Sequence, residues 1–137
     1  MVRSRFLMAL FSVGLLCGCG TGQNGPQRAV LSGEVTYEGK VVPFGSIRFI
    51  PQAGSNLPAG GALIQDGRYE ANNRGGVPVG THRVEIEGWK FPLSDEGLAD
   101  GGGQPNPQIL PPRFNTKSEL ILVVETPDMK TYDFHLK

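Results

Sequence analysis

Residues 31–49 read LSGEVTYEGKVVPFGSIRF, and their pattern decides the fold class. From Ala29 to Tyr37 apolar and polar residues alternate. Leu31, Val35 and Tyr37 share one face, and Ser32, Glu34 and Thr36 share the other. A period of two places successive side chains on opposite faces of an extended chain, so this is a half-buried β-strand. Glu38-Gly39-Lys40 is the turn that follows. After Pro43-Phe44-Gly45 the alternation resumes: Ile47 and Phe49 lie against Ser46 and Arg48, and Pro51 ends the second strand.

Working outward, the same grammar repeats. Gln52 to Gly61 is a loop rich in Gly, Pro, Ser and Asn. Ala62–Gln65 and Arg68–Ala71 flank Asp66-Gly67. Asp-Gly between apolar runs is a strong hairpin signal, because both central turn residues need positive φ. Asn72 to Gly76 is a further turn. Thr81 to Glu87 alternates strictly, with His82, Val84 and Ile86 facing the core. Leu120 to Glu125 is an unbroken aliphatic run, the pattern of a central strand covered on both faces. Thr131 to Lys137 alternates again, with Tyr132, Phe134 and Leu136 inward.

The chain has 137 residues, including 20 Gly and 11 Pro. Those two types are nearly twice as common as the usual roughly 12%. They punctuate apolar runs, which a disordered chain would lack. About seven short strands with turn signals every 8–12 residues define an all-β protein, a single Greek-key sandwich of immunoglobulin-like strand number, with no helical period beyond the N-terminus.

The N-terminus is an address. Arg3 and Arg5 form a basic start, and Phe6 to Leu16 is an apolar segment of 11 residues. As a helix it spans about 16 Å, short of a roughly 30 Å hydrocarbon core, which favours a cleaved signal peptide over a membrane span. Leu16-Cys17-Gly18-Cys19 follows and resembles the lipobox of bacterial lipoproteins. The resemblance implies cleavage after Gly18, diacylglycerol on the Cys19 thiol, and a second acylation (palmitate-type) of the new N-terminus. One acyl chain anchors marginally, two or three firmly. Residues 1–18 are thus expected as signal peptide, 19–28 as a lipidated flexible tether, and 29–137 as the β-sandwich domain. By family sorting rules, Gly20 after the cysteine points to the outer membrane in a cell that has one. The expected location is an exported, membrane-anchored lipoprotein at the periplasmic face or cell surface.

A second resemblance covers the domain. LSGEVTYEGKVVPFGSIRF, with DGRYE (66–70), VPVGTHRVEI (77–86) and PPRFNTKSEL (111–120), is similar to carboxypeptidase regulatory-like and transthyretin-like domains in short bacterial lipoproteins. The chain departs from that pattern at Val41 and His82. The resemblance implies a structural or interaction accessory without peptidase activity, because the zinc-binding peptidase domain is absent from the sequence.

Composition narrows the partners. Formal net charge is zero. Removing Arg3 and Arg5 leaves 11 basic residues against 13 acidic ones, a net of −2. No basic patch argues for nucleic acid. Cys17 and Cys19 are the only cysteines, so the domain carries no disulfide or thiolate metal site. His82 and His135 are too few and too far apart for a zinc set. His82 reads as a core residue and His135 as outward-facing. Asp95, Glu96 and Asp100 lack the alternate spacing of a calcium loop, and no Gly-x-Ser-x-Gly elbow is present. No catalytic residues, metal or cofactor are therefore expected.

Residues 88–113 form a long segment containing Gly101-Gly102-Gly103 and five prolines, and loops of that length are commonly functional. Trp89 and Phe91 at its start are the candidate ligand-binding residues, since exposed aromatics stack on sugars or anchor partners. The expectation is a non-enzymatic, lipid-anchored envelope protein acting by protein–protein or structural contact. The alternatives are a glycan-binding module using Trp89 and Phe91, and a small-ligand carrier.

Overall fold

The computed structural model describes residues 25–92 and 106–137. The signal peptide, Cys19, the first part of the tether, the Asp95, Glu96 and Asp100 cluster and the middle of the long loop lie outside the described residues.

Among the described residues the protein is all-β, with no α-helix. Its strands are β1 (Arg28–Ala29), β2 (Leu31–Tyr37), β3 (Lys40–Val41), β4 (Phe44–Pro51), β5 (Gly60–Gln65), β6 (Arg68–Ala71), β7 (Val77–Pro78), β8 (Gly80–Trp89), β9 (Ile121–Val124), β10 (Lys130–Thr131) and β11 (Phe134–Leu136). Two single 3-10 turns, Asn73–Gly75 and Pro112–Phe114, interrupt them. The main sheet has the order β10-β2-β6-β5-β4-β8-β9, with β3 and β11 also on β2. A separate small pair, β1 with β7, ties Arg28–Ala29 to the body. Val79 N–H also donates to Gln27 O (2.8 Å), so ordered pairing begins at the last residues of the expected tether.

Two strands organise the rest. β4 pairs with β5 on one side and, along its whole length from Phe44–Trp89 to Pro51–His82, with β8 on the other. β2 pairs antiparallel with β6 and β3, and in parallel with β10 and β11. Among the described residues the ladders of the two groups join at the Asp66-Gly67 hairpin, through Ile64–Tyr69 and Gln65–Arg68. Both turn residues have positive φ, 50° and 76°, as a type I′ turn requires. The tip is itself tied down: Asp66 N–H donates to Pro43 O, Gly67 N–H to Val42 O, and Val35 N–H to Gly67 O.

The core is one cluster fed by both groups. Leu31, Val35, Ile47, Phe49, Ile64, Val84, Ile86 and Val124 are fully or almost fully buried. Phe49 of β4, Tyr69 of β6 and Phe134 of β11 form a chain of tilted rings with centroids 6.1 Å apart at each step. Such pairs add about 0.5–1.5 kcal/mol beyond their burial.

Two strand expectations are corrected. The run 120–125 is not a central strand. β9 pairs only with β8, and Ile121 and Val123 are 63% and 49% exposed. Its uniform aliphatic character hides an ordinary alternation, in which Leu120, Leu122 and Val124 turn inward. The segment 131–137 is not one strand either. It breaks into β10 and β11, because Asp133 leaves the ladder to accept a hydrogen bond from Glu34 N–H (2.8 Å). The bend is seated on Gly33, where a Cβ would run into the carbonyl of Tyr132.

Gly45 has the same kind of constraint between β4 and β8. It is buried, and a Cβ there would collide with Glu87 O. Gly45→Ala should therefore lower stability by about 1–3 kcal/mol, the usual cost of overpacking. Gly25→Ala, with open space around it, should change it by less than about 0.5 kcal/mol. Urea midpoints read both, and equal midpoints for the two variants would refute the close-approach account.

Candidate functional site

Three places concentrate polar or aromatic chemistry. The first is the end of β8. Trp89 is half-buried, lies opposite Phe44 on β4, and forms a bridge with Gln108 on its other side. Gly88 N–H donates to Gln108 Oε1 (2.6 Å) and Ile109 N–H donates to Gly88 O (2.8 Å). Asn106 closes the clamp one turn further out. Its Nδ2 donates to Phe91 O (2.8 Å) and its Oδ1 accepts from Phe91 N–H (3.2 Å). The two ends of the long segment are therefore stapled to each other. Phe91 stands 51% exposed with Lys90 Nζ 5.6 Å from its ring centroid, a cation–π arrangement. Trp89 and Phe91 make no ring pair with each other.

The second place is a groove of about 1080 Å³ where β5 and β6 diverge beyond the hairpin. Its walls include Ser32, Glu34, Leu63, Arg68, Glu70 and Asp133. Three carboxylates face one guanidinium, and none of the ion pairs among the described residues involves them. Leu63 is 65% exposed. At the groove floor Tyr69 donates its hydroxyl to Tyr132 O (2.8 Å). Burial, then the Asp133 charge, raise that phenol far above its ordinary pKa, so it stays a hydrogen-bond donor.

The third place is His82. It is fully buried on β8, as its inward register predicts. Its Nδ1 lies 3.1 Å from Gly80 O and its Nε2 has no partner. Burial pushes its pKa down, outweighing the Gly80 carbonyl, which raises it. The ring is thus neutral, with Nδ1–H donating. His135 is exposed and outward, with Nδ1 2.9 Å from Thr36 Oγ1. Among the described residues no group of three His, Cys, Asp or Glu side chains converges, and no helix is long and apolar enough to cross a membrane.

The groove was not legible in the sequence. Gly60-Gly61 inside a strand, which weakens its side-chain cover, is the one signal that marks it. The geometry defines a class: an all-β domain with a clamped aromatic end, an acidic groove and buried polar groups. No family model, curated protein or solved structure matches the chain.

His82 sets a pH dependence. The folded pKa lies below the unfolded value of about 6.5, so the unfolded state binds the extra proton first. His82's contribution to stability is fully present above about pH 6.5 and falls as pH drops toward the folded pKa, by at most about 1.4 kcal/mol per pH unit. His82→Phe should flatten the urea midpoint between pH 7 and pH 5. A variant with the same slope as the parent would show that another group carries it.

Proposed function

We propose that the chain is an exported lipoprotein, anchored through lipid on Cys19, whose domain acts by protein–protein or structural contact in the cell envelope and not by catalysis. The observation that carries this reading is the order basic start, 11-residue apolar run, then Leu16-Cys17-Gly18-Cys19. Residues 1–18 are the signal peptide and 19–28 the lipidated tether. The domain is read as a Greek-key sandwich of the transthyretin-like, carboxypeptidase regulatory-like kind. That reading is supported by a single core fed from both sides of the β5–β6 divergence and by the positive-φ turns at Glu38-Gly39 and Asp66-Gly67.

The contact reading is supported by where the reactive side chains point. His82 is turned into the core. The Tyr69 and Ser118 hydroxyls each donate to a backbone carbonyl, Tyr132 O and Val84 O. These groups hold strands together: His82 and Ser118 are buried, and the Tyr69 hydroxyl at the groove floor is already bonded to Tyr132 O.

Cys19→Ser tests the anchor. The variant should leave the membrane fraction and persist as unprocessed precursor. A variant that still fractionates with membrane in mature form defeats the lipoprotein reading. In-cell crosslinking of the lipidated parent, with mass spectrometry of what it captures, then tests the contact role. One abundant envelope protein is the expected capture; diffuse cell-wall material alone counts against it.

One observation favours a second reading, a glycan-binding surface. Phe91 is exposed and held in place by the Asn106 clamp beside Trp89. Under it, Trp89→Ala abolishes retention on immobilised polysaccharide with the thermal midpoint still cooperative. Unchanged retention removes that reading.

A further inference from the structure

The chain enters the domain at one end of the strands. β2 begins at Leu31, opposite the last residue of β6, and β4 ends at Pro51, opposite His82 near the start of β8. β7, just before β8, pairs with Arg28 and Ala29. Segments 25–31, 52–59, 72–81 and 125–130 therefore make up this end. They hold three cations, Arg28, Arg74 and Lys130, against two carboxylates, Glu125 and Asp128. Loop 52–59 carries no charge, and Leu57 lies next to Gly80.

The cations ring the point of entry. Arg28 Nη1 donates to Gly76 O (2.8 Å), which lays that side chain along the turn carrying the exposed Arg74. On the other side Lys130 N–H donates to Val30 O (3.0 Å). Lys130 is exposed, and Met129 before it is 73% exposed, the most of any large apolar side chain among the described residues. An apolar side chain flanked by long basic ones is the pattern of a surface that lies at a lipid interface.

We infer that the domain rests on an anionic lipid bilayer by this end, with Met129 at the boundary of headgroups and acyl chains and Arg28, Arg74 and Lys130 at the phosphates. Under the lipoprotein reading, on which this rests, eight residues separate the lipid on Cys19 from Gln27, whose carbonyl bonds Val79 N–H. Eight residues reach at most about 28 Å. β8 alone has ten residues, a length of about 33 Å. The anchor thus holds the entry end beside the bilayer, and the opposite end, with Lys90 and Phe91, lies out of its reach.

Met129→Cys and Lys90→Cys test the orientation. Each is made in the full chain and purified in mature form, where Cys17 has left with the signal peptide and the Cys19 thiol carries lipid. The introduced thiol, labelled with an NBD fluorophore, is then the one that reports. In phosphatidylglycerol–phosphatidylcholine vesicles with brominated acyl chains, the label at Met129 should lose most of its emission, and the label at Lys90 should keep it. Equal quenching at both sites overturns the inference. A chain that floats with the vesicles yet stays bright at Met129 removes this inference alone; a chain that does not float removes the lipoprotein reading with it. Adding Arg74→Glu and Lys130→Glu to Met129→Cys should restore emission while flotation and far-UV circular dichroism stay unchanged. Quenching that survives both reversals shows that these cations do not hold the domain on the lipid.

Discussion

Among the described residues only two ladder pairs, Ile64–Tyr69 and Gln65–Arg68, join the β4 half of the sheet to the β2 half. Every other feature depends on what those pairs permit. β5 follows β4 for six pairs in all and β6 follows β2 for four. A hairpin whose arms leave for different partners bends the sheet and opens a groove on its outer side. On the inner side the same bend brings Phe49, Tyr69 and Phe134 together. Core and groove are two faces of one divergence. The positive-φ pair Asp66-Gly67 makes it possible, because residues there must leave the β-region to reverse the chain in two steps.

The inward polar groups follow from the same geometry. Where strands diverge or end, backbone groups lose ladder partners, and buried ones left unpaired cost about 1–3 kcal/mol each. Tyr69 reaches Tyr132 O at the divergence. At the far end, Ser118 reaches Val84 O, and Asn115 bonds Leu110 O and Pro111 O (3.4 and 3.3 Å). The segment 111–120 thus acts as a plug that carries the chain from the clamped loop into β9. His82 Nε2 and Thr126 Oγ1 are the exceptions among the described residues, buried without a partner, and the neutral imidazole is the form the core tolerates.

Alternation and turn chemistry made most of this fold legible. Strict period-two patterning placed Val84, Ile86 and His82 inward, and the Asp-Gly signal located the hairpin to the residue. Where the sequence misleads, long-range pairing decides. Aliphatic residues on both faces made 120–125 resemble a covered strand, yet a strand's coverage depends on its neighbours, and β8 already has β4 on its other side. Local patterning likewise says nothing of Asp133 bonding Glu34, 99 residues away in the chain. Trp89 and Phe91 were findable as aromatics beside a glycine-rich segment. Their clamping by Gln108 and Asn106 was not, because it needs the two ends of that segment to meet.

The two edges of the β4 half differ in a way that bears on contact. At β5 the outer edge begins with Gly60 and Gly61 and opens on a polar groove with three carboxylates. At β9 it is aliphatic, exposed and bounded by Glu119 and Glu125. Charges flanking an apolar edge limit the registers in which another strand can add. A sheet with one polar and one apolar edge therefore has a direction.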